Sequence, residues 1–323
     1  MNYWSEHHQE LIYKAIHSSK SRHTRSFAVF DADNTIWKND ITEGLLAWMS
    51  VHGHVSIRSL DASILPFPLR PKETLQSYYN YLCSVDHSIG YLFAVQILAG
   101  FTLSEIRGFV KEIMLLTSPI QAPIRDGFQS IPVPKVYPAQ RELIHTLQAQ
   151  GVEVWIVSAS LEDVVRMIAC DSDFGLNLPP ERVIGVNLIL KSPQKDSFLA
   201  CPIERRQGCQ GLEYFFSDER LGYHLSTIPY APLSWYGGKV AAILEWIDSV
   251  DRPMLVAGDS PNDFYMQFHA AVDDDGIRLR IDTDPNHKIL LEEQIRKYEK
   301  GTLHESAREG WLEVNSSMLG LPD

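Results

Sequence analysis

Ser26-Phe27-Ala28-Val29-Phe30-Asp31-Ala32-Asp33-Asn34-Thr35 is the stretch that decides the fold. Its first half is a short apolar run, the pattern of a parallel strand covered on both faces. Its second half turns abruptly to two carboxylates, an amide and a hydroxyl. A buried strand that ends in acids places them outside the carboxyl edge of a sheet, where open α/β folds bind their ligands. On a continuing strand Asp31 and Asp33 would share a face, and the chain is expected to turn there.

The same grammar recurs downstream. Val152-Glu153-Val154-Trp155-Ile156-Val157 predicts a strand running into Ser158-Ala159-Ser160. Met254-Leu255-Val256-Ala257 predicts another, running into Gly258-Asp259-Ser260-Pro261-Asn262-Asp263. Further strands are expected at Arg182 to Leu190 and Ile277 to Ile281. Helical periodicity marks residues 5 to 17, Glu142 to Gln150, Leu161 to Ala169, Gly238 to Ile247 and Lys288 to Lys297. Strands alternating with helices imply a parallel sheet with helices on both faces.

Between the first strand and the second the pattern is helical from Ile41 to about Leu116, broken by Pro66, Pro68 and Pro71. Thr102-Leu103-Ser104-Glu105 is a capping box. Pro123, Pro132, Pro134 and Pro138 punctuate a linker. The predicted fold is α/β: a doubly wound, Rossmann-like parallel sheet core with a helical cap domain inserted after the first catalytic strand. The core takes residues 1–38 and 124–323, and the cap takes 39–123. Residues 191–235 are irregular, with possible hairpins near Tyr214 and Tyr223.

The strand ends carry the chemistry. Asp31, Asp33 and Asp259 converge in one crevice of this fold. Two like charges about 4 Å apart repel by roughly 4 kcal/mol at an effective dielectric of about 20, so a cation is the natural remedy. Oxygen ligands on loops point to Mg²⁺. Lys239, after Gly237-Gly238 at a helix opening, would join it in neutralising phosphoryl oxygens. An ionised Asp31 can attack phosphorus and become an aspartyl-phosphate. Asp33, with a pKa raised by partial burial near another acid, can serve as acid and base.

These four segments resemble, in order, the four motifs of the haloacid dehalogenase-like superfamily: Asp-x-Asp-x-Thr at Asp31 to Thr35, a serine at Ser158, a lysine at Lys239, and Gly-Asp-x-x-x-Asp at Gly258 to Asp263. Within it the chain resembles the phosphoserine phosphatase-like branch and, in that branch, the bacterial phosphorylcholine phosphatases. Those share the Asp-x-Asp-Asn-Thr form, an acid pair here at Asp40 and Glu43, and Ser-Ala in the second motif. The resemblance covers the core, outside the cap and the 191–235 segment. It implies Asp31 as nucleophile, Asp33 as acid and base, Ser158 and Lys239 as phosphoryl binders, and Mg²⁺ held by Asp31, the Asp33 carbonyl and Asp259. Asp263 supports Lys239. Thr35, Ala159 and Asn262 complete the expected substrate surroundings.

The resulting expectation is a Mg²⁺-dependent phosphomonoesterase acting on a small, amine-bearing phosphorylated metabolite such as phosphocholine or a phosphoserine-like ester. The alternatives are a phosphotransferase of the same type and a non-catalytic phosphate-ligand binding protein. Asp40 and Glu43 have two readings of equal weight: acids favoured at a helix start, or carboxylates facing an ammonium group. Trp37, Trp48, Tyr78, Tyr79, Tyr81 and Tyr91 are more readily core than cage. Ser158 or Ser160 is a candidate helix N-cap before Leu161.

Composition bounds the rest. The 323 residues are 45% hydrophobic, with 41 acidic against 29 basic side chains and a formal charge of -12, which argues against a broad nucleic-acid surface. No apolar run is long enough for a membrane span. The opening residues lack an apolar signal region, so a cytoplasmic location is expected; a periplasmic or secreted one would need a leader outside this sequence. Cys83, Cys170, Cys201 and Cys209 have neither zinc nor disulfide spacing. The sequence sets no number of subunits.

Overall fold

The computed structural model describes residues 1–22, 25–192, 198–300 and 306–321. Phe27–Phe30 lies inside the main sheet, parallel to Leu255–Gly258 on one side and Glu153–Leu161 on the other. Beyond the first neighbour come Ile277–Asp282 and Trp311–Asn315; beyond the second comes Val183–Lys191, all parallel. The order runs outward in both directions from Phe27–Phe30, so the switch point of a doubly wound sheet falls at the strand that carries Asp31.

The unbroken apolar run has a physical cause. Ala28 and Phe30 face the larger core, with Leu45, Leu143 and Leu255. Phe27 and Val29 face the other layer, with Ile243, Ile247 and Met266. All four strand residues are fully buried, so neither face tolerates a polar side chain.

Between the first two sheet strands stand the helices Ile41–Val51, Leu75–Val85, His87–Gln96 and Leu103–Leu115. Thr102 and Glu105 form the expected capping box. The proline-rich linker is more ordered than the sequence indicates. Ile120–Ile124 and Gly127–Ile131 pair as an antiparallel hairpin packed on Ile41–Val51 and Leu75–Val85. Pro123 is tolerated because a two-stranded ribbon has free edges. Pro138 is the first residue of the helix Pro138–Ala149, where its missing N–H costs nothing.

Residues 191–235 also gain structure, although 193–197 lie outside the described residues. Tyr214 sits in the short helix Leu212–Phe215, and Tyr223 precedes the strand His224–Tyr230. That strand pairs antiparallel with Val183–Lys191, so the partner is a distant sheet strand and not a local hairpin. The edge strand Trp311–Asn315 has no counterpart among the expected elements.

No helix among the described residues is long and apolar enough to cross a membrane.

Candidate active site

Asp31 continues the sheet by one bond, its N–H donating to the Ala257 carbonyl at 2.9 Å. The chain then turns: the Ala32 carbonyl accepts from the N–H groups of Thr35 and Ile36, and Asn34 takes a left-handed φ of 59°. The turn aims Asp31 and Asp33 into a cavity of about 710 Å³, whose wall also includes Asp40, Glu43, Ala159, Asp259 and Asn262. Seven of the sequence-selected positions therefore share one cavity.

Lys239 and Thr35 lie behind that wall, both fully buried. Lys239 Nζ donates to Asp31 Oδ1 at 2.5 Å and to Asp263 Oδ1 at 2.6 Å. Burial pushes its ammonium down, but Asp263 and Asp31 outweigh that and hold it above the usual lysine range. Asp263 Oδ2 accepts from the N–H groups of Asp259 and Ser260 at 3.0 and 3.2 Å. Thr35 Oγ1 lies 3.4 Å from Asp31 Oδ2.

Carboxylate oxygens of Asp31, Asp259 and Asp263 lie within 4.8 Å of one another. Burial, then Asp263, raises Asp31 to about 7. Burial, then Asp263 and Asp31, raises Asp259 well above the carboxylate range. One ammonium among three buried carboxylates leaves a deficit of positive charge, and such a site of hard oxygen donors fits a divalent cation.

Asp33 has a different shell. Its Oδ1 accepts from Trp37 Nε1 at 2.7 Å and from the Ile41 N–H at 2.8 Å; Ser160 Oγ lies 2.6 Å from Oδ2. Burial, then Asp40, raises Asp33 to about 7. Oδ1 is committed to two N–H donors, whereas Oδ2 faces a hydroxyl, which can donate or accept, so Oδ2 is the oxygen that can hold an exchangeable proton.

The second motif differs from its expected form. The strand does not stop at Val157 but runs through Leu161, with its register against Val183–Lys191 shifted between Val157 and Leu161. Neither serine caps the following helix Glu162–Ala169, whose N-cap is Leu161 with no side-chain bond. Ser158 is buried; its Oγ accepts from the Ser160 N–H, and its carbonyl accepts from Ser234 Oγ. Ala159 and Ser160 form the cavity wall in front of it.

Asp40 meets the helix-start reading, and both acids line the cavity. Asp40 caps the Ile41–Val51 helix, Oδ1 accepting from the Thr42 and Glu43 N–H groups, and it also lines the cavity. Burial, then Glu43, raises Asp40 to about 7. Burial raises Glu43 too, and Tyr79 donates to its Oε1 at 3.4 Å. No cationic side chain is among the leading influences on either acid. Of the aromatics, Tyr79 and Tyr91 reach the cavity. Trp37 instead holds Asp33, Trp48 stacks on His52 at 4.2 Å, and Tyr78 packs edge-on to Phe93.

Several site residues escape sequence reasoning. Ser160 touches Asp33, and Tyr236 lines the cavity. Thr283 Oγ1 donates to Asp259 Oδ2 at 3.0 Å, while His287 Nδ1 lies 3.1 Å from the Asp259 carbonyl. Thr283 comes from the loop after Ile277–Asp282, and His287 from the first turn of the helix Pro285–Lys300. The polar residues Asp282-Thr283-Asp284 at that strand's end were a signal of the same kind as the other motifs.

The chain is similar to known proteins in sequence and in fold. Residues 28–192 match the haloacid dehalogenase-like hydrolase family. The chain is 35% identical over 309 residues to a phosphorylcholine phosphatase of Pseudomonas aeruginosa, covering 91% of this chain and 86% of that protein. A protein of unknown function from Anaerococcus prevotii shares the fold at a TM-score of 0.58 and 18% identity, over 89% of this chain and 90% of that one. A substrate-bound phosphoserine phosphatase aligns at a TM-score of 0.44 and 12% identity, over 83% of this chain and 91% of that one.

Proposed function

The chain belongs to the haloacid dehalogenase-like hydrolase family and is a phosphatase, and from that premise we propose that it hydrolyses a small, amine-bearing phosphomonoester through an aspartyl-phosphate on Asp31. One observation carries the reading: Asp31, Asp33 and Asp259 open onto one cavity, with Lys239 buried against Asp31.

Asp31 attacks phosphorus in line, and the bond from phosphorus to the leaving oxygen breaks. Asp33 Oδ2 gives that oxygen its proton, which a carboxyl raised to about 7 can carry at neutral pH. A water then attacks the phosphorus of the aspartyl-phosphate, Asp33 takes the water's proton, and Asp31 is regenerated with release of phosphate. Lys239 neutralises charge at Asp31 throughout and fixes its carboxylate. Asp31, the Asp33 carbonyl and Asp259 would hold Mg²⁺, which when bound supplies charge neutralisation for the phosphoryl oxygens. The raised Asp31 and Asp259 support this assignment, because their charge awaits a counterion.

The leaving group is proposed from the other end of the cavity. Asp40 and Glu43 have no cationic partner among their leading influences, so an ammonium on the substrate would relieve both. The Pseudomonas relative is a phosphorylcholine phosphatase, which supports phosphocholine as the first ester to try.

Asp31→Asn should lower p-nitrophenyl phosphate hydrolysis by more than about 10³-fold, since the nucleophile is gone. Chelation should silence the wild type and Mg²⁺ restore it. On a panel of phosphocholine, phosphoserine and glucose 6-phosphate, the amine-bearing esters should be preferred. Wild-type rates in Asp31→Asn would sink the mechanism, and a clear preference for the sugar phosphate would sink the substrate class.

A further inference from the structure

Tyr236 holds a backbone conformation that a bulky residue rarely adopts, with φ 48° and ψ -124°. Glycines occupy the next two positions, 237 and 238. A chain built only to make this turn would place glycine at 236 as well. Such outliers persist where the surroundings fix them, and they cluster at functional sites.

The surroundings of Tyr236 are specific. Its N–H donates to Asn262 Oδ1 at 2.7 Å, which roots the strained unit in the loop that carries Asp259. Three residues on is Lys239, at the start of the helix Gly237–Trp246. Tyr236 lines the cavity. Its phenol is raised by burial and then by Asp86 and Cys83, both from the helical segment, and Tyr91 is influenced by Tyr236 in turn. Trp235 packs against Tyr91 with ring centroids 6.1 Å apart. Tyr236 thus starts at the catalytic loops and extends to the helices that carry Tyr79, Cys83 and Tyr91.

We propose that Tyr236 is a specificity-determining residue whose ring forms the wall on which the organic head of the substrate packs. This rests on the phosphomonoesterase reading of the same cavity. The head that suits it is compact and cationic with an apolar skin, because an aromatic face in the same cavity as Asp40 and Glu43 favours a poorly hydrated cation over a polyol. The phosphoryl group lies with Asp31 and does not need the ring.

The test compares Tyr236→Phe, Tyr236→Ala and Tyr236→Gly on phosphocholine and on acetyl phosphate, which lacks a cationic head. Loss of the ring should raise KM for phosphocholine about 10-fold, with kcat changed less than about 3-fold. KM for acetyl phosphate should stay near wild type, and Tyr236→Phe should behave as wild type on both. Melting temperature supplies a readout of folding. Tyr236→Gly should melt about 2 °C above Tyr236→Ala, the reverse of the order at an ordinary position, because only glycine accepts this φ freely. An active wild type whose ratio of KM values is unchanged in Tyr236→Ala and Tyr236→Gly overturns this proposal alone. Tyr236→Gly melting below Tyr236→Ala overturns the strain on which it stands. A wild type that hydrolyses neither compound overturns both this proposal and the phosphomonoesterase reading.

Discussion

Asp259 and Asp263 are the same residue four positions apart, and their surroundings give them different work. Asp263 is engaged on both oxygens: Oδ1 takes Lys239, and Oδ2 takes the Asp259 and Ser260 N–H groups. Asp259 accepts from Thr283 on Oδ2, and among the described residues no hydrogen bond reaches its Oδ1. Although the three carboxylates cluster closely enough to share an ion, we assign Asp263 to Lys239 and Asp259 to the cation. Millimolar Mg²⁺ is expected to raise the melting temperature of the wild type, and Asp263→Asn should keep that rise while losing about 3 kcal/mol of stability and most of its activity. Asp259→Asn should lose the Mg²⁺ response. Melting curves with and without Mg²⁺ decide it; loss of the response in both variants would make Asp263 a ligand. Asp31, Asp33, Asp259, Asp263 and Lys239 were legible in the sequence because acids at the end of an apolar strand, in this order, have few other uses. Ser160 and Trp37 stood in the sequence reading without their roles at Asp33, Thr283 lay in a polar strand end that was passed over, and Tyr236 reaches the site through a turn that leaves no spacing signal.

Elements were legible where burial leaves a periodic trace. The central strands show unbroken apolar runs because helices cover both faces, and the capping box at Thr102 announced its helix. The Ile120–Ile131 hairpin was hidden by Pro123, and the strand His224–Tyr230 by pairing with a partner far away in sequence. The extension of Glu153–Leu161 through two serines was hidden because a register shift replaces the turn that those residues suggest. The opening of the helix Gly237–Trp246 shows the same dependence on context within one turn. A Cβ at Gly237 would meet nothing within 4 Å, whereas one at Gly238 would collide with the Leu233 carbonyl oxygen. Gly237→Ala should change stability by less than about 0.5 kcal/mol. Gly238→Ala should cost about 1–3 kcal/mol, because backbone must move, and should lower kcat by displacing Lys239 next to it. Urea unfolding and steady-state kinetics on the two variants check this, and equal effects at both positions would refute the packing argument.

Across the whole molecule the net charge is -12, yet one buried ionic cluster is balanced: Glu162, Asp163 and Glu204 against Arg166, Arg205 and Arg220. Arg166 reaches Asp163 at 2.5 Å, Arg220 reaches Asp163 at 2.9 Å and Glu204 at 2.6 Å, and Arg205 reaches Glu162 at 2.7 Å. These bonds fasten the 201–221 helices to the helix that directly follows Ala159 and Ser160, so the segment added to the sheet edge is tied to the cavity wall. A buried network of this kind adds little net stability, but losing one member strands the others. Burial pushes Asp163 up, and Arg220 and then Arg166 overcome that and bring it to about 2 from an ordinary 3.8. A carboxylate depressed on folding contributes stability that is fully present above its unfolded pKa and is lost as pH falls through its folded one. The window is thus about pH 4 to 2, and the shift corresponds to about 2 kcal/mol. Asp163→Asn should cost about 3–5 kcal/mol near neutral pH. The gap between wild type and variant should then narrow by about 2 kcal/mol as pH falls across that window, because the variant has no proton to take up at 163. Taking the difference cancels the cavity carboxylates, which titrate alike in both proteins. Urea unfolding of the pair at about pH 5, 4, 3 and 2.5 measures it, and a gap that stays constant over this range would show that the charge of Asp163 is not what holds the added segment in place.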